Sequence, residues 1–218
     1  LFSTKLPVIF SSATLSIEKD FTYLADSLGI EKYQSFSVPS PFDYDEVMKV
    51  TAHHVSQVEK VHETDKILES TSQTLILFKS KAAMDHFRAS TQAKDIAFEG
   101  DRELSTIVKE FQNGEFSTLC SYHLWEGLDL PKEALTRVII YDLPFPPVDP
   151  LFDAKRSFSN DPFEEVELPF MLLRLQQGIG RLIRTSEDHG EIHLLLNDSE
   201  ALIEDRFARI LPTTISNE

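Results

Sequence analysis

The sequence predicts an α/β fold, a mainly parallel sheet with helices on both faces. From residue 73 onward, short β-branched stretches alternate with amphipathic stretches of helical spacing. Strands that alternate with helices in this way form parallel sheets that are covered on both sides. The 41% hydrophobic content and the 16 phenylalanines supply a substantial core. A length of 218 residues fits one large domain, or one domain with a fragment of another.

The elements are predicted in order from local patterns. Residues 7–12 form an apolar run typical of a buried strand, and a helix predicted at about 17–28 stops at Gly29. Prolines argue against a helix in the stretch 33–44. Further strands are predicted at 47–54, 74–78, 93–98, 117–121, 136–141 and 190–196. Further helices are predicted at 56–70, 81–92 and 102–113, after the proline-rich turn 143–150, from about 163 into the stretch 174–184, and at 201–211.

The charge balance limits the classes of partner. The formal net charge is −15, from 36 acidic and 21 basic residues, which argues against a broad electrostatic grip on DNA or on an anionic membrane. A narrow groove with a few placed cations remains compatible with this charge. No run of 18 apolar residues occurs, so no membrane span is expected, and the first residues lack the pattern of a secretory signal.

Cysteine and histidine usage argues against a metal site. The single Cys120 allows neither an internal disulfide nor a cysteine-built metal site, and this usage is typical of a reducing cytoplasm. His53 and His54 are adjacent on a predicted strand, so they point to opposite faces and cannot chelate one ion together. We expect no metal site within the chain, a cytoplasmic location, and a buried packing role for Cys120.

The stretch Arg174–Arg184 is the first candidate for chemistry. Gln177, Arg181 and Arg184 are spaced by four and then by three residues, so they share one helix face. Gly178 and Gly180 each cost about 1 kcal/mol in a helix relative to alanine, which indicates a close backbone approach or a distorted turn. Guanidinium groups beside an amide on such a face suit a phosphate. The alternative is that the arginines only decorate a solvated face.

Two polar stretches follow predicted strands. Ser12, Ala13 and Thr14 come at the end of the first one, where hydroxyls can bridge a catalytic carboxylate to a neighbouring domain or simply cap a turn. Lys79 and Ser80 follow the strand 74–78, at the carboxyl edge where α/β proteins bind ligands. The alternative for Ser80 is the N-cap of the next helix.

The stretch Leu124–Pro131 is more specific. It combines the only tryptophan, Trp125, with Glu126, Gly127 and Asp129 in one loop after a strand. Asp129 is suited to bind a ribose hydroxyl or a magnesium-bound water, and Gly127 allows the backbone to approach a ligand. The alternative is a pair of surface carboxylates beside a packed tryptophan.

Together these ordered strings resemble the DinG/XPD-like branch of superfamily-two DNA helicases, and bacterial DinG-like proteins most closely. Supporting strings are Ser40–Tyr44, Leu143–Pro147 and Ile210–Pro212, so the resemblance covers nearly the whole chain. It implies a RecA-like fold. It also implies that residues 1–35 are the tail of a first motor domain and that residues 36–218 are the second, C-terminal one.

The resemblance also implies roles for individual residues. Arg181, Arg184 and Gln177 are expected to face the γ-phosphate as catalytic groups, where an arginine finger stabilises charge during phosphoryl transfer. Gly127, Asp129, Glu126 and Gly180 are expected to bind nucleotide, and Ser12, Ala13 and Thr14 to couple hydrolysis to strand movement. Lys79, Ser80 and Trp125 are expected to contact single-stranded DNA. The expected partners are this DNA and an upstream RecA-like domain.

Two departures from the family pattern qualify the expected activity. The sequence contains neither a Gly-x-x-x-x-Gly-Lys-Ser/Thr phosphate loop nor an Asp-Glu-x-His box. ATP and Mg²⁺ are therefore expected to bind mainly to an upstream domain, and this chain alone is not expected to hydrolyse ATP efficiently. In the stretch 197–200, an arginine usual in the family two residues after the aspartate is also missing.

Three interpretations stay open from the sequence. The first is the C-terminal motor half of an ATP-dependent DNA helicase. The second is a nucleotide-sensing RecA-like regulatory module of a DinG-like protein with a fused exonuclease, and the third is a generic α/β domain with an unrelated ligand. Sequence upstream of this chain distinguishes the first two, because a phosphate loop favours a motor and an acidic nuclease triad favours the regulatory module.

Overall fold

The computed structural model describes residues 7–12, 14–125, 135–183 and 188–217. The chain divides into two compact units. The first comprises Leu1–Pro41 and Phe145–Leu173, and the second comprises Phe42–Pro144 and Arg174–Glu218. The predicted boundary near residue 35, between two motor domains, stays a prediction.

The described elements agree in type with most of the predicted ones. The described strands are β1 (Met48–His54), β2 (Thr74–Leu77), β3 (Ile96–Phe98), β4 (Thr118–Ser121), β5 (Arg137–Ile140), β6 (Gly190–Leu196) and β7 (Ile215–Asn217). The described helices are α1 (Thr22–Leu28), α2 (Tyr44–Val47), α3 (Lys60–Leu68), α4 (Lys81–Ser90), α5 (Leu104–Gln112), α6 (Pro150–Phe158), α7 (Leu168–Ile179), α8 (Asp198–Ala201) and α9 (Glu204–Ala208). None of the described helices is both long and apolar enough to cross a membrane.

The second unit is built on a parallel sheet. Its seven described strands lie in the order β3-β4-β2-β5-β6-β1-β7, and every pairing between them is parallel. The central strands β2, β4 and β5 are buried along their whole length, as expected when both faces of a parallel sheet are covered. The predicted fold class is confirmed.

Helices cover the two faces of this sheet with different sets of side chains. One face carries Ile76, Phe78 and Tyr141, which form a buried cluster with Met84 and Phe87 of α4. Side chains alternate between faces along a strand, so Leu77 points the other way, where it lies against Gly178 near the end of α7. Within the second unit, α4 therefore covers one face of the sheet, and the end of α7 at residues 174–179 covers the other.

In the first unit, a widened turn precedes α7. Residues Phe163–Glu167 form a π-helical turn, in which the N–H of Leu168 donates to the carbonyl of Phe163. Pro169 follows immediately; it has no N–H to donate, and its ring would clash with the carbonyl four residues earlier in a regular α-helix. The wider turn accommodates this proline, so the single helix predicted from about 163 begins as a π-turn.

Two local predictions were wrong, and one strand was missed. Residues 7–12 form no strand in the structure, and Ile9 is 88% exposed; an apolar run becomes a buried strand only if neighbouring strands pair with it. The helix predicted at 201–211 is instead two short helices, α8 and α9, separated at Ile203, where the backbone is not helical. The edge strand β7 was not predicted, because it depends on pairing with β1 and has no clear alternation of its own.

Candidate functional site at the carboxyl edge of the sheet

The carboxyl ends of the central strands bring several polar residues to one edge. The N–H of Phe78 donates to the carbonyl of Ser121 at 2.9 Å, and the N–H of Tyr141 donates to the carbonyl of Leu77 at 3.0 Å. The ends of β2, β4 and β5 are thus level with one another. The side chains that follow these ends share the edge at which open α/β sheets bind ligands. They are Lys79 after β2, Tyr122 and His123 after β4, and Asp142 after β5.

The end of α7 packs against Trp125 through a glycine. A Cβ atom added to Gly178 would lie 2.9 Å from Cε3 of Trp125 and 3.1 Å from Cδ1 of Leu77, so no larger residue fits without a shift. The glycine therefore permits a close approach of the helix backbone to the indole and the sheet, as its presence in a helical pattern predicted. Gly180 is exposed, and its added Cβ would meet only a backbone oxygen of Gln176 at 3.2 Å and one of Gln177 at 3.6 Å.

Arg181 joins the two most specific stretches of the sequence. Its Nε donates to the carbonyl of Trp125 at 3.3 Å and to that of Gln177 at 3.2 Å. Trp125 directly precedes the loop that carries three of the predicted nucleotide ligands, so the arginine helix and the start of this loop lie together. Five predicted site residues lie outside the described residues. They are Ala13, Glu126, Gly127, Asp129 and Arg184.

Trp125 does not offer a surface for a DNA base. The side chain is fully buried, and its Nε1 donates to the carbonyl of Phe78 at 2.9 Å. An indole with both faces packed cannot stack on an incoming base, so the predicted direct contact is corrected to a structural role. The ring supports α7 and anchors the residue before the predicted nucleotide loop.

Lys79 and Ser80 differ in what they offer a ligand. Lys79 is half exposed, with Nζ 3.9 Å from Oδ1 of Asp142. The hydroxyl of Ser80 accepts a hydrogen bond from the N–H of Ala83 at 3.2 Å and caps α4. The N-cap alternative for Ser80 therefore describes its observed contact, while Lys79 has an accessible ammonium group at the sheet edge.

Ser12 and Thr14 lie in the first unit. The N–H of Thr14 donates to the hydroxyl of Ser12 at 3.3 Å, an interaction of the kind that forms a local turn. Their predicted coupling role stays a prediction.

A buried lysine at this edge was not predicted. Lys60, the first residue of α3, is 0% exposed, and its Nζ donates to the carbonyl of Tyr141 at 2.8 Å and to Glu200 at 2.9 Å. It also lies 3.4 Å from Asp142, whose Oδ2 has no hydrogen-bond partner among the described groups. Burial raises the pKa of Asp142, and the charges of Lys60 and Lys79 oppose this rise. Lysines are rarely buried, and no sequence pattern marked this one.

A second polar pair was also missed. Glu99 follows β3 and is 8% exposed, and its carboxylate contacts Nδ1 of His123 after β4. These residues are 24 positions apart, and only the parallel pairing of β3 with β4 brings them together.

The remaining histidines and the cysteine have structural surroundings. His53 is 4% exposed, with Nε2 2.9 Å from Nδ1 of His193 and Nδ1 3.2 Å from Glu63. No group of three or more metal-ligating side chains is arranged for an ion in the part of the chain that the structure describes. Cys120 is fully buried in the sheet, and burial raises the pKa of its thiol, so its predicted packing role is confirmed.

A parallel sheet of this order, with an arginine-bearing helix and lysines at its carboxyl edge, is the C-terminal fold of RecA-like helicases. The XPD helicase structure matches 95% of this chain and 42% of its own length with a TM-score of 0.71 at 18% identity. This likeness concerns the fold.

Sequence comparison identifies the family. Residues 64–217 match the model of the helicase C-terminal domain. The probable ATP-dependent helicase YpvA of Bacillus subtilis (strain 168) is 47% identical over 97% of this chain, and the 3'-5' exonuclease DinG of the same organism is 31% identical over 100% of it. The chain spans 34% and 26% of these two proteins, about a third of their length or less. The chain belongs to the helicase C-terminal domain family, of the DinG/XPD-like type, and the predicted resemblance is confirmed.

Proposed function

We propose that this chain is the C-terminal motor domain of an ATP-dependent DNA helicase, and that it completes an ATPase site together with an upstream RecA-like domain. In this proposal the upstream domain binds most of the ATP and Mg²⁺. Arg181 and Arg184 act as arginine fingers on the γ-phosphate, and Gln177 orients the site. The names of the relatives support this proposal, since YpvA is described as a probable ATP-dependent helicase.

The contact between Arg181 and the carbonyl of Trp125 carries the proposal. The arginine helix and the Trp-Glu-Gly stretch are about 50 residues apart in the sequence, and each was proposed independently to serve a nucleotide. An arginine finger must be held in place before negative charge develops on the γ-phosphate, because a preorganised group needs no reorganisation free energy during the reaction. The carbonyls of Trp125 and Gln177 accept from Nε at 3.3 and 3.2 Å, which fixes the position of this part of the guanidinium group.

The same sheet edge supports a strand-binding role. Lys79 and Lys81 have side chains that are 50% and 61% exposed, and both follow β2. An exposed ion pair such as that of Lys81 with Asp85 contributes only about 0.2–1 kcal/mol, so a DNA phosphate can compete with Asp85 for Lys81. Nζ of Lys79 lies 3.9 Å from Asp142 and is accessible from solvent. We propose that Lys79 contacts the backbone of single-stranded DNA.

DNA-stimulated ATP hydrolysis tests the motor proposal. The chain joined to its upstream domain should hydrolyse ATP, the chain alone should not, and Arg181→Ala in the joined protein should lower kcat by about a thousandfold or more. Arg209→Ala, which removes an exposed arginine from the same unit, should leave kcat unchanged. Full activity of the Arg181→Ala protein would remove this residue from the catalytic groups.

A regulatory module is the second candidate. It is favoured by the relative described as a 3'-5' exonuclease, which matches the whole chain at 31% identity. In that case the joined protein would bind ATP without hydrolysing it, and bound ATP would change the rate of DNA degradation. Measuring both reactions in one preparation distinguishes the two candidates.

A further inference from the structure

Glu99 and His123 form a polar pair at the carboxyl edge of β3 and β4. Oε1 of Glu99 contacts Nδ1 of His123, and Oε2 accepts from the N–H groups of Tyr122 at 3.1 Å and His123 at 3.2 Å. The hydroxyl of Ser121 donates to the same Oε2. The carboxylate side chain is 8% exposed and the imidazole side chain is 63% exposed. A buried and well-bonded carboxylate therefore anchors an exposed imidazole.

This anchoring orients the second ring nitrogen, Nε2, away from the carboxylate. The imidazole uses Nδ1 for Glu99, so Nε2 lies on the opposite side of the ring from the carboxylate. The described contacts of His123 come from Glu99, Ser121, Tyr122 and the turn itself, and within the described ranges none involves Nε2. Burial raises the pKa of Glu99, but hydrogen bonds from Ser121 and His123 outweigh it and lower this pKa overall. When Nδ1–H donates to this carboxylate, Nε2 carries a proton only in the imidazolium, whose Nε2–H can donate to an anion.

The surroundings of the pair fit a nucleic-acid strand. The rings of Tyr122 and His123 have centroids 4.2 Å apart, and Arg174 donates to the carbonyl of Tyr122 at 3.5 Å. Lys79 and Lys81 follow β2, the strand paired with β4, and their side chains are 50% and 61% exposed. In a chain with a net charge of −15, this edge concentrates cations beside an aromatic ring. Surfaces of this composition bind single strands through phosphates and stacked bases.

A hydrolytic role for the Ser-Glu-His set does not fit the geometry. Ser121 is 0% exposed, and its hydroxyl donates to Glu99 and accepts from the N–H of Leu124 at 3.0 Å. A serine nucleophile needs its base within hydrogen-bond reach and an exposed oxygen. Here the serine hydroxyl supports the carboxylate, so binding is the chemistry that the pair supports.

We propose that His123, positioned by Glu99, binds a backbone phosphate of single-stranded DNA through Nε2. This inference rests on the proposed function, because it adds a residue to the strand surface of the motor domain. The ligand is a phosphodiester oxygen. A free phosphate or a nucleotide presents the same chemistry, so the test includes both sources.

Fluorescence anisotropy of a labelled oligothymidylate of about 20 nucleotides, with the joined protein, tests the inference. Measurements are made at about pH 6 and about pH 8.5, because an imidazole whose Nδ1–H is bonded to a carboxylate offers an Nε2–H only when it is protonated. His123→Ala should weaken binding about fivefold to tenfold at the lower pH and much less at the higher pH. It should also reduce the slope of log Kd against log salt by about 0.7, the value for one lost phosphate contact on a single strand.

Three further variants give the test its controls. Glu99→Gln keeps an acceptor for the backbone but loses the charge, so it should weaken binding mainly at the lower pH, like His123→Ala. His123→Gln should show intermediate binding without pH dependence, because an amide donates at both pH values. His86→Ala removes an exposed histidine on α4 and should leave oligothymidylate binding unchanged at both pH values. Thermal unfolding checks that each variant is folded.

The outcomes distinguish a failure of the role inferred for His123 from a failure of the proposed strand-binding function. If the unchanged protein binds no oligothymidylate, the strand-binding function itself fails. If it binds, and His123→Ala binds equally well with the same salt slope, only the role of His123 is overturned. Competition by inorganic phosphate or ATP that equals competition by unlabelled oligonucleotide, per phosphate, would assign the pair to a small anion instead of a strand and would also overturn the inference.

Discussion

At the scale of single residues, the buried Lys60 connects separate parts of the second unit. It occupies the first position of α3, where the helix dipole disfavours a cation. Its Nζ compensates for this through the carbonyl of Tyr141 and the carboxylates of Asp142 and Glu200. Glu200 in turn accepts from the N–H of Leu143 at 3.1 Å. The segment after β5 and helix α8 are therefore tied to α3 through one ammonium group.

Replacing Lys60 by methionine is expected to destabilise the second unit strongly. The change keeps most of the side-chain volume and leaves two buried carboxylates without their cation, which costs about 3–5 kcal/mol. Urea unfolding followed by the fluorescence of Trp125, the only tryptophan, measures the change in unfolding free energy. Lys66→Met on the same helix removes a lysine that is 63% exposed and should change it by about 0.5 kcal/mol or less. Equal effects of the two variants would contradict a special role for Lys60.

At the scale of elements, the packing of α7 on the sheet depends on Gly178. Alanine favours a helix by about 1 kcal/mol over glycine, so propensity alone predicts that Gly178→Ala stabilises the protein. The added Cβ would lie within 3.1 Å of both Trp125 and Leu77, and overpacking a core of this kind costs about 1–3 kcal/mol. The cost of overpacking exceeds the gain in helix propensity, because Trp125 and Leu77 are both fully buried.

We therefore expect Gly178→Ala to lower the melting temperature measured by circular dichroism. Gly180→Ala is the matched control, since that residue is exposed and its added Cβ would meet only backbone oxygens. Its effect should be clearly smaller. A Gly178→Ala protein as stable as the unchanged one would mean that α7 does not approach the indole closely.

At the scale of the whole molecule, a histidine pair, His53 and the partly buried His193, links stability to pH. Burial, and then the neighbouring charge of His53, lower the pKa of His193 from its ordinary 6.5 to about 4. The unfolded chain therefore binds a proton that the folded chain rejects between these two values. Stability from this group is fully present above about pH 6.5 and is lost as the pH falls to about 4. The loss approaches about 3 kcal/mol, at 1.36 kcal/mol for each pKa unit.

Comparing the unchanged protein with His193→Gln tests this linkage. The glutamine does not titrate, so the variant should lose less unfolding free energy between about pH 6.5 and about pH 4. The unfolding free energy at each pH comes from urea titration followed by Trp125 fluorescence. Parallel pH profiles for the two proteins would show that His193 keeps an ordinary affinity for protons.

Sequence reasoning was most successful where the signal is local. The strands β2, β5 and β6 and the helices α4 and α5 follow from their hydrophobic periodicity. Ser80 marks the start of α4, and Gly114 marks the end of α5. Failures occurred where a partner decides the outcome. The apolar run 7–12 is no strand in the structure, and β7 forms only because β1 offers an edge.

The sequence by itself determined the fold class and the family, because alternation and ordered motifs are properties of the linear chain. Only the tertiary structure decided that Trp125 is buried, that Lys60 lies among carboxylates, and that Glu99 reaches His123. These three facts depend on which strands pair and which helix faces meet. Residues distant in the chain become neighbours through that pairing, and no local pattern encodes their contact.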